Sequence, residues 1–94
     1  MSNTDAVTLM ITHEVGDYNQ WLEVFQAHEP ARSKAGIRIK NIYQAVDNPN
    51  RITVQSEAPS AEVAAAFMSN PENKAAMANA GLLRAPSVQI LRQV

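Results

Sequence analysis

Near its midpoint the chain sets Asp47-Asn48-Pro49-Asn50, four turn-forming residues in a row, between two runs rich in β-branched side chains. A short turn joining two such runs is a hairpin, so strands expected over 37–46 and 51–58 must be antiparallel neighbours. Whatever flanks them has to fold around a central hairpin.

On the N-terminal side, residues 6–15 alternate. Val7, Leu9, Ile11, His13 and Val15 share one face, with Thr8, Met10, Thr12 and Glu14 on the other, which reads as a strand. Gly16-Asp17 punctuates it, and Asp17 is placed to cap a helix. From there the spacing becomes helical: Tyr18, Trp21, Leu22 and Phe25 form one stripe, which His28 extends by a turn. Pro30 lacks an N–H and its ring clashes with the carbonyl of Gln26, so a break is expected near Glu29, with helix resuming to Ala35 and Gly36 in the left-handed position after it. In the next strand Ile39 and Ile42 cannot share a face without a bulge between them.

On the C-terminal side, Ser60 caps a helix whose buried stripe is expected to be Val63, Ala66 and Phe67. Asn70-Pro71 restarts it, Ala75, Met77 and Ala78 continue it, and Gly81 stops it. After a connection at 82–85, Pro86 leads into a last strand over 87–94. The order β-α-β-β-α-β with right-handed crossovers specifies an α+β, ferredoxin-like fold: a four-stranded antiparallel sheet with its helices on one face.

The other sheet face is then expected to carry Thr8, Met10, Thr12, Thr53, Gln55, Gln89 and Leu91, too apolar for comfortable exposure and too polar for a dry core. The chain has 94 residues and no cysteine, so a single domain is expected that has no disulfide or thiolate metal site to stabilise it. Pairing of two such faces into a homodimer, an α/β barrel with a semi-polar interior, is the expected remedy. Eight Lys and Arg against nine Asp and Glu, scattered along the chain, form no basic stripe, so nucleic acid is not expected as a partner. No apolar run approaches the ~20 residues of a membrane span. MSNTDA has neither a basic n-region nor an apolar h-region, so a cytoplasmic protein is expected, with residues 1–5 as a flexible tail.

Several stretches together resemble a known family. Asp17-Tyr18-Asn19-Gln20-Trp21 followed by Phe25, His28, Pro30, Arg32 and Ala35-Gly36-Ile37, the hairpin from Tyr43 through Asn50, and the helical pattern Phe67-Met68, Asn70-Pro71, Met77 and Ala80-Gly81 are similar to small dimeric α/β-barrel proteins. The resemblance is to uncharacterised, antibiotic-biosynthesis-monooxygenase-like members and runs from Val7 to Leu91. It implies the fold and a dimer. It does not fix an activity, because that superfamily includes cofactor-free monooxygenases, haem-degrading enzymes, cyclases, isomerases and stress-response proteins.

His13 and His28 are the candidate catalytic residues, since neutral imidazole titrates near working pH. The alternatives are a strand-end His13 bonded to a neighbour, and a His28 that closes the core and bonds a carbonyl freed by Pro30. Trp21, Tyr43 and Met68 are the candidate ligand-binding residues: an aromatic wall, a phenol and apolar lining. Arg84 is either a partner for a carboxylate or a solvated loop residue. No pair or triplet spacing places metal ligands together, and no cofactor is implied. Three roles compete: a binder of a small apolar or aromatic molecule in a cavity beside the sheet; a cofactor-independent monooxygenase, cyclase or isomerase; and a structural or stress-associated dimer with a filled interior. A cavity of ~300 Å³ or more with a histidine in its wall favours the first two.

Overall fold

A computed structural model describes residues 6–94; the tail expected over 1–5 lies outside them. The elements are β1 (Val7–Glu14), α1 (Tyr18–Ala27), α2 (Glu29–Lys34), β2 (Arg38–Ala45), β3 (Asn48–Ala58), α3 (Ala61–Ser69), α4 (Pro71–Asn79) and β4 (Ser87–Leu91). The strands form one antiparallel sheet in the order β2-β3-β1-β4, with the helices on one face, which is the ferredoxin-like arrangement.

The helix boundaries follow from capping. Asp17 accepts from the Asn19 N–H at 2.9 Å, Ser60 from Val63 at 3.1 Å and Asn70 from Glu72 at 2.7 Å, each satisfying a donor that a helix start leaves free. Gly36 follows α2 at φ +82°, and two bonds close the end there: Ile37 N–H to the Arg32 carbonyl at 2.9 Å and Gly36 N–H to that of Ser33 at 3.0 Å.

Three boundaries differ from expectation. Strand β3 starts at Asn48, leaving only Val46 and Asp47 in the turn, and Val46 points into solvent instead of belonging to β2. Pro49 is accommodated because the register of β1 with β3 stops at Glu14 and Arg51, so β2 alone flanks it. Strand β4 stops at Leu91, opposite Thr8, one residue short of the start of β1 at Val7. In α3 the buried residue is Ala64, while Ala66 of the expected stripe is exposed; in α4 the buried residue is Asn73. Methyl groups carry too little periodic signal to fix the rotation of Ala-rich helices.

The expected bulge is present as a register shift between Ile39 and Asn41, which aligns Ile39 with Ser56 and Ile42 with Val54 on the helix side. The core divides into two clusters. Val7, Leu9, Ile37, Ala58 and Ala64 form one, and Val15, Trp21, Ile52, Val54 and Ala80 the other. All of β4 is exposed, including Val88 and Ile90 on the helix side of the sheet, so the helices do not reach over that edge.

On the open face Met10 lies between Gln55 and Gln89, and Thr8 between Glu57 and Leu91. Its polar groups are largely paired: Thr12 with Thr53 at 3.0 Å, Asn41 with Gln55 at 3.0 Å, Arg38 with Glu57, and Arg51 with Glu14.

Candidate functional site

A cavity of about 70 Å³ lies between helices and sheet, where the two halves of the core meet; Leu9 and Ile37 of one cluster and Trp21, Val54 and Ala80 of the other line it. Both histidines reach it. Strand alternation carries His13 onto the same face as Leu9, and its side chain ends against Trp21, with ring centroids 5.8 Å apart. His13 is buried, and its Nδ1 has no hydrogen-bond partner among the described residues. Burial lowers its pKa from 6.5 to about 4, so the ring is neutral at pH 7.

His28 occupies the junction of α1 and α2, 5.7 Å from the Phe67 ring, and its Nε2 is likewise buried without a partner. It does not bond a carbonyl freed by Pro30. Arg32 instead ties down the end of α1: its Nη2 donates to the Phe25 carbonyl at 2.6 Å, which also accepts from the His28 N–H at 3.2 Å. The longer guanidinium reaches back across the helix break, which the imidazole of His28 does not.

The helical stripe builds an aromatic column along this wall. Trp21 stacks between Tyr18, at 5.9 Å, and Phe25, at 4.7 Å, and the Arg32 guanidinium lies 3.8 Å over the Phe25 ring. Arg32 is buried and also bonds Glu29 through Nε at 3.3 Å. Burial pulls its pKa below the ordinary value while Glu29 raises it; a guanidinium stays charged in any case.

The cavity thus brings together four of the five residues singled out from the sequence: His13, His28, Trp21 and Met68. Tyr43 is not among them. It pairs with Thr53 on the open face, half exposed, and its hydroxyl donates to Gln55 Oε1 at 3.3 Å. The bulge after Ile39 sets Tyr43 on that side. Arg84 is bound to Glu14 at 2.9 Å and lies away from the cavity.

Sequence reasoning gave no role to Arg32, Ser56 or Asn73, all buried and all lining the cavity. Arg32 had a signal. It continues the stripe Tyr18, Trp21, Phe25, His28 by four residues, and an arginine on an apolar stripe needs a partner inside. Ser56 and Asn73 had none beyond their place in a strand and a helix. Among the described residues no group of three His, Asp or Glu is positioned to hold a metal.

No family model matches this sequence, and no curated protein matches it. Solved structures do match in shape. A protein from Bordetella bronchiseptica assigned as an antibiotic biosynthesis monooxygenase superposes with a TM-score of 0.81 at 12% identity, covering 96% of this chain and 98% of its own. A conserved protein from Methanosarcina mazei gives 0.78 at 14% identity, covering 99% and 97%. A cofactor-independent oxygenase from Streptomyces nogalater gives 0.70 at 14% identity, covering 96% of each chain. At such identities the likeness is one of architecture: the chain has the ferredoxin-like fold of antibiotic-biosynthesis-monooxygenase-like proteins.

Proposed function

We propose that the protein binds a small apolar or aromatic molecule, about one ring in size, in the cavity between sheet and helices. The observation that carries this reading is the pair of imidazole nitrogens unpartnered among the described residues, His13 Nδ1 and His28 Nε2, at a largely apolar cavity. A buried nitrogen without a partner costs roughly 1–3 kcal/mol, and a ligand hydroxyl or carbonyl there recovers part of it. At about 70 Å³ the cavity falls short of the ~300 Å³ that favours a ligand pocket, so the occupant it takes is small and a wall has to move to enlarge it. Helix α4 is the wall suited to that: it runs between the break at Asn70 and Gly81, is polar, and buries only Asn73.

Oxygenase chemistry of the kind performed by the Streptomyces nogalater protein is the second reading, favoured by the shared fold. A His13 held near pKa 4 is a weak base toward a phenol near pKa 10, which ranks binding ahead of catalysis. The working unit of this proposal is a homodimer closed through the open sheet face. Most of that face's polar groups are already paired, so covering it strands few of them while burying Met10 and Leu91.

Trp21 is the only tryptophan in the chain and stands in the cavity wall, so its emission reports occupancy. Titration with benzyl alcohol and indole is expected to give a saturable change in Trp21 fluorescence. Substituting Ala76→Phe, to fill the cavity, is expected to abolish it. No saturable response in the wild-type protein to either compound would refute the binding reading.

A further inference from the structure

We infer that the cavity's ligand is an acid, held as its anion by the unused N–H donors of Arg32. The inference rests on the binding reading above and adds the chemical class of the occupant.

Arg32 is the only Arg or Lys among the described lining residues, and no Asp or Glu is among them. Its one carboxylate partner, Glu29, has 51% of its side chain in solvent, whereas the Arg32 side chain has 7%. Water therefore screens the negative member of the pair more than the positive one, so the cavity side of the pair is its positive end. The fork is only partly engaged. Nε and Nη2 hold Glu29 and the Phe25 carbonyl, while Nη1 has no acceptor among the described residues. Stacking of the guanidinium over the Phe25 ring fixes its plane, so the remaining donors are held in a set direction, the preorganisation that makes arginine selective for planar oxyanions. The structural task of closing the α1–α2 break requires one donor, and a lysine or glutamine reaching the Phe25 carbonyl would supply it. A buried guanidinium beside an apolar cavity does more: it selects charge. Trp21, Phe25 and the methionines then take the apolar body of the acid.

The test compares two isosteres, benzoate and its neutral amide benzamide, against the intact protein at pH 7 by Trp21 fluorescence. Benzoate is expected to bind at least about tenfold more tightly, the factor associated with one charge-assisted hydrogen bond. Arg32→Gln is expected to bring the ratio of the two affinities close to one, with benzamide binding retained. Benzamide binding as tightly as benzoate to the wild-type protein would overturn the inference while leaving the binding reading intact, and this arm requires no variant to fold. Failure of both compounds, together with the neutral compounds named above, would overturn both.

Discussion

An imidazole buried with an unpartnered nitrogen destabilises a fold, because water no longer solvates that nitrogen and no protein group replaces it. His13 is held in this way beside Trp21. Replacing it with leucine is expected to raise stability at pH 7 by about 1 kcal/mol while weakening ligand binding. The pH dependence has a definite sign. Burial takes His13 from 6.5 down to about 4, so between those values the unfolded chain binds a proton that the folded chain refuses. Stability contributed by this residue is therefore lost as pH falls from 6.5 towards 4 and levels off below, a change on the order of 3 kcal/mol. Urea unfolding at pH 7 and pH 4.5 checks both points. The acid-induced loss should be smaller in His13→Leu than in the wild type; equal losses would show that His13 does not titrate across folding. At this scale the sequence revealed which residues bear chemistry, but not which of them are satisfied. Tyr43 and His28 were both candidates, for ligand binding and for catalysis; one found Gln55 on the open face, and the Nε2 of the other found no partner among the described residues.

At the scale of elements, the chain punctuates itself clearly. Asp17, Ser60 and Asn70 cap their helices, and Gly36 and Gly81 follow the ends of α2 and α4 at positive φ. Gly36 is the stricter of the two, because a Cβ there would also meet Pro59 Cγ at 3.0 Å. Gly36→Ala is expected to destabilise the protein by about 1–2 kcal/mol, read as a lowered thermal midpoint. Gly16→Ala is the control: its φ is not positive and its new methyl meets only Leu83 at 3.9 Å, so the midpoint should hardly move. Caps and glycines act on their own neighbours and are legible in sequence for that reason. The rotation of α3 was not, since alanine on several sides lets tertiary contacts choose the face. The end of β4 was not either, because a strand stops where its partner stops.

For the whole molecule, the proposed dimer is the decisive question. The open face mixes paired polar groups with Met10 and Leu91, and β4 leaves Val88 and Ile90 uncovered on the opposite side of the same edge. Native mass spectrometry is expected to show twice the chain mass, and Met10→Glu, which sets an unpaired carboxylate between Gln55 and Gln89, to yield a folded monomer. A wild-type protein that is monomeric at micromolar concentration would refute the barrel. The order of elements, the central hairpin, the caps and the division of β1 into an apolar and a mixed face were all determined by the sequence, because each rests on residues within a few positions of one another. Tertiary structure alone decided that the core divides into two clusters with a small cavity between them, that Arg32 crosses the helix break to line it, and that both histidines remain unpartnered there. Those outcomes depend on which side chains from distant segments meet and how much space they leave, and periodicity carries no record of volume.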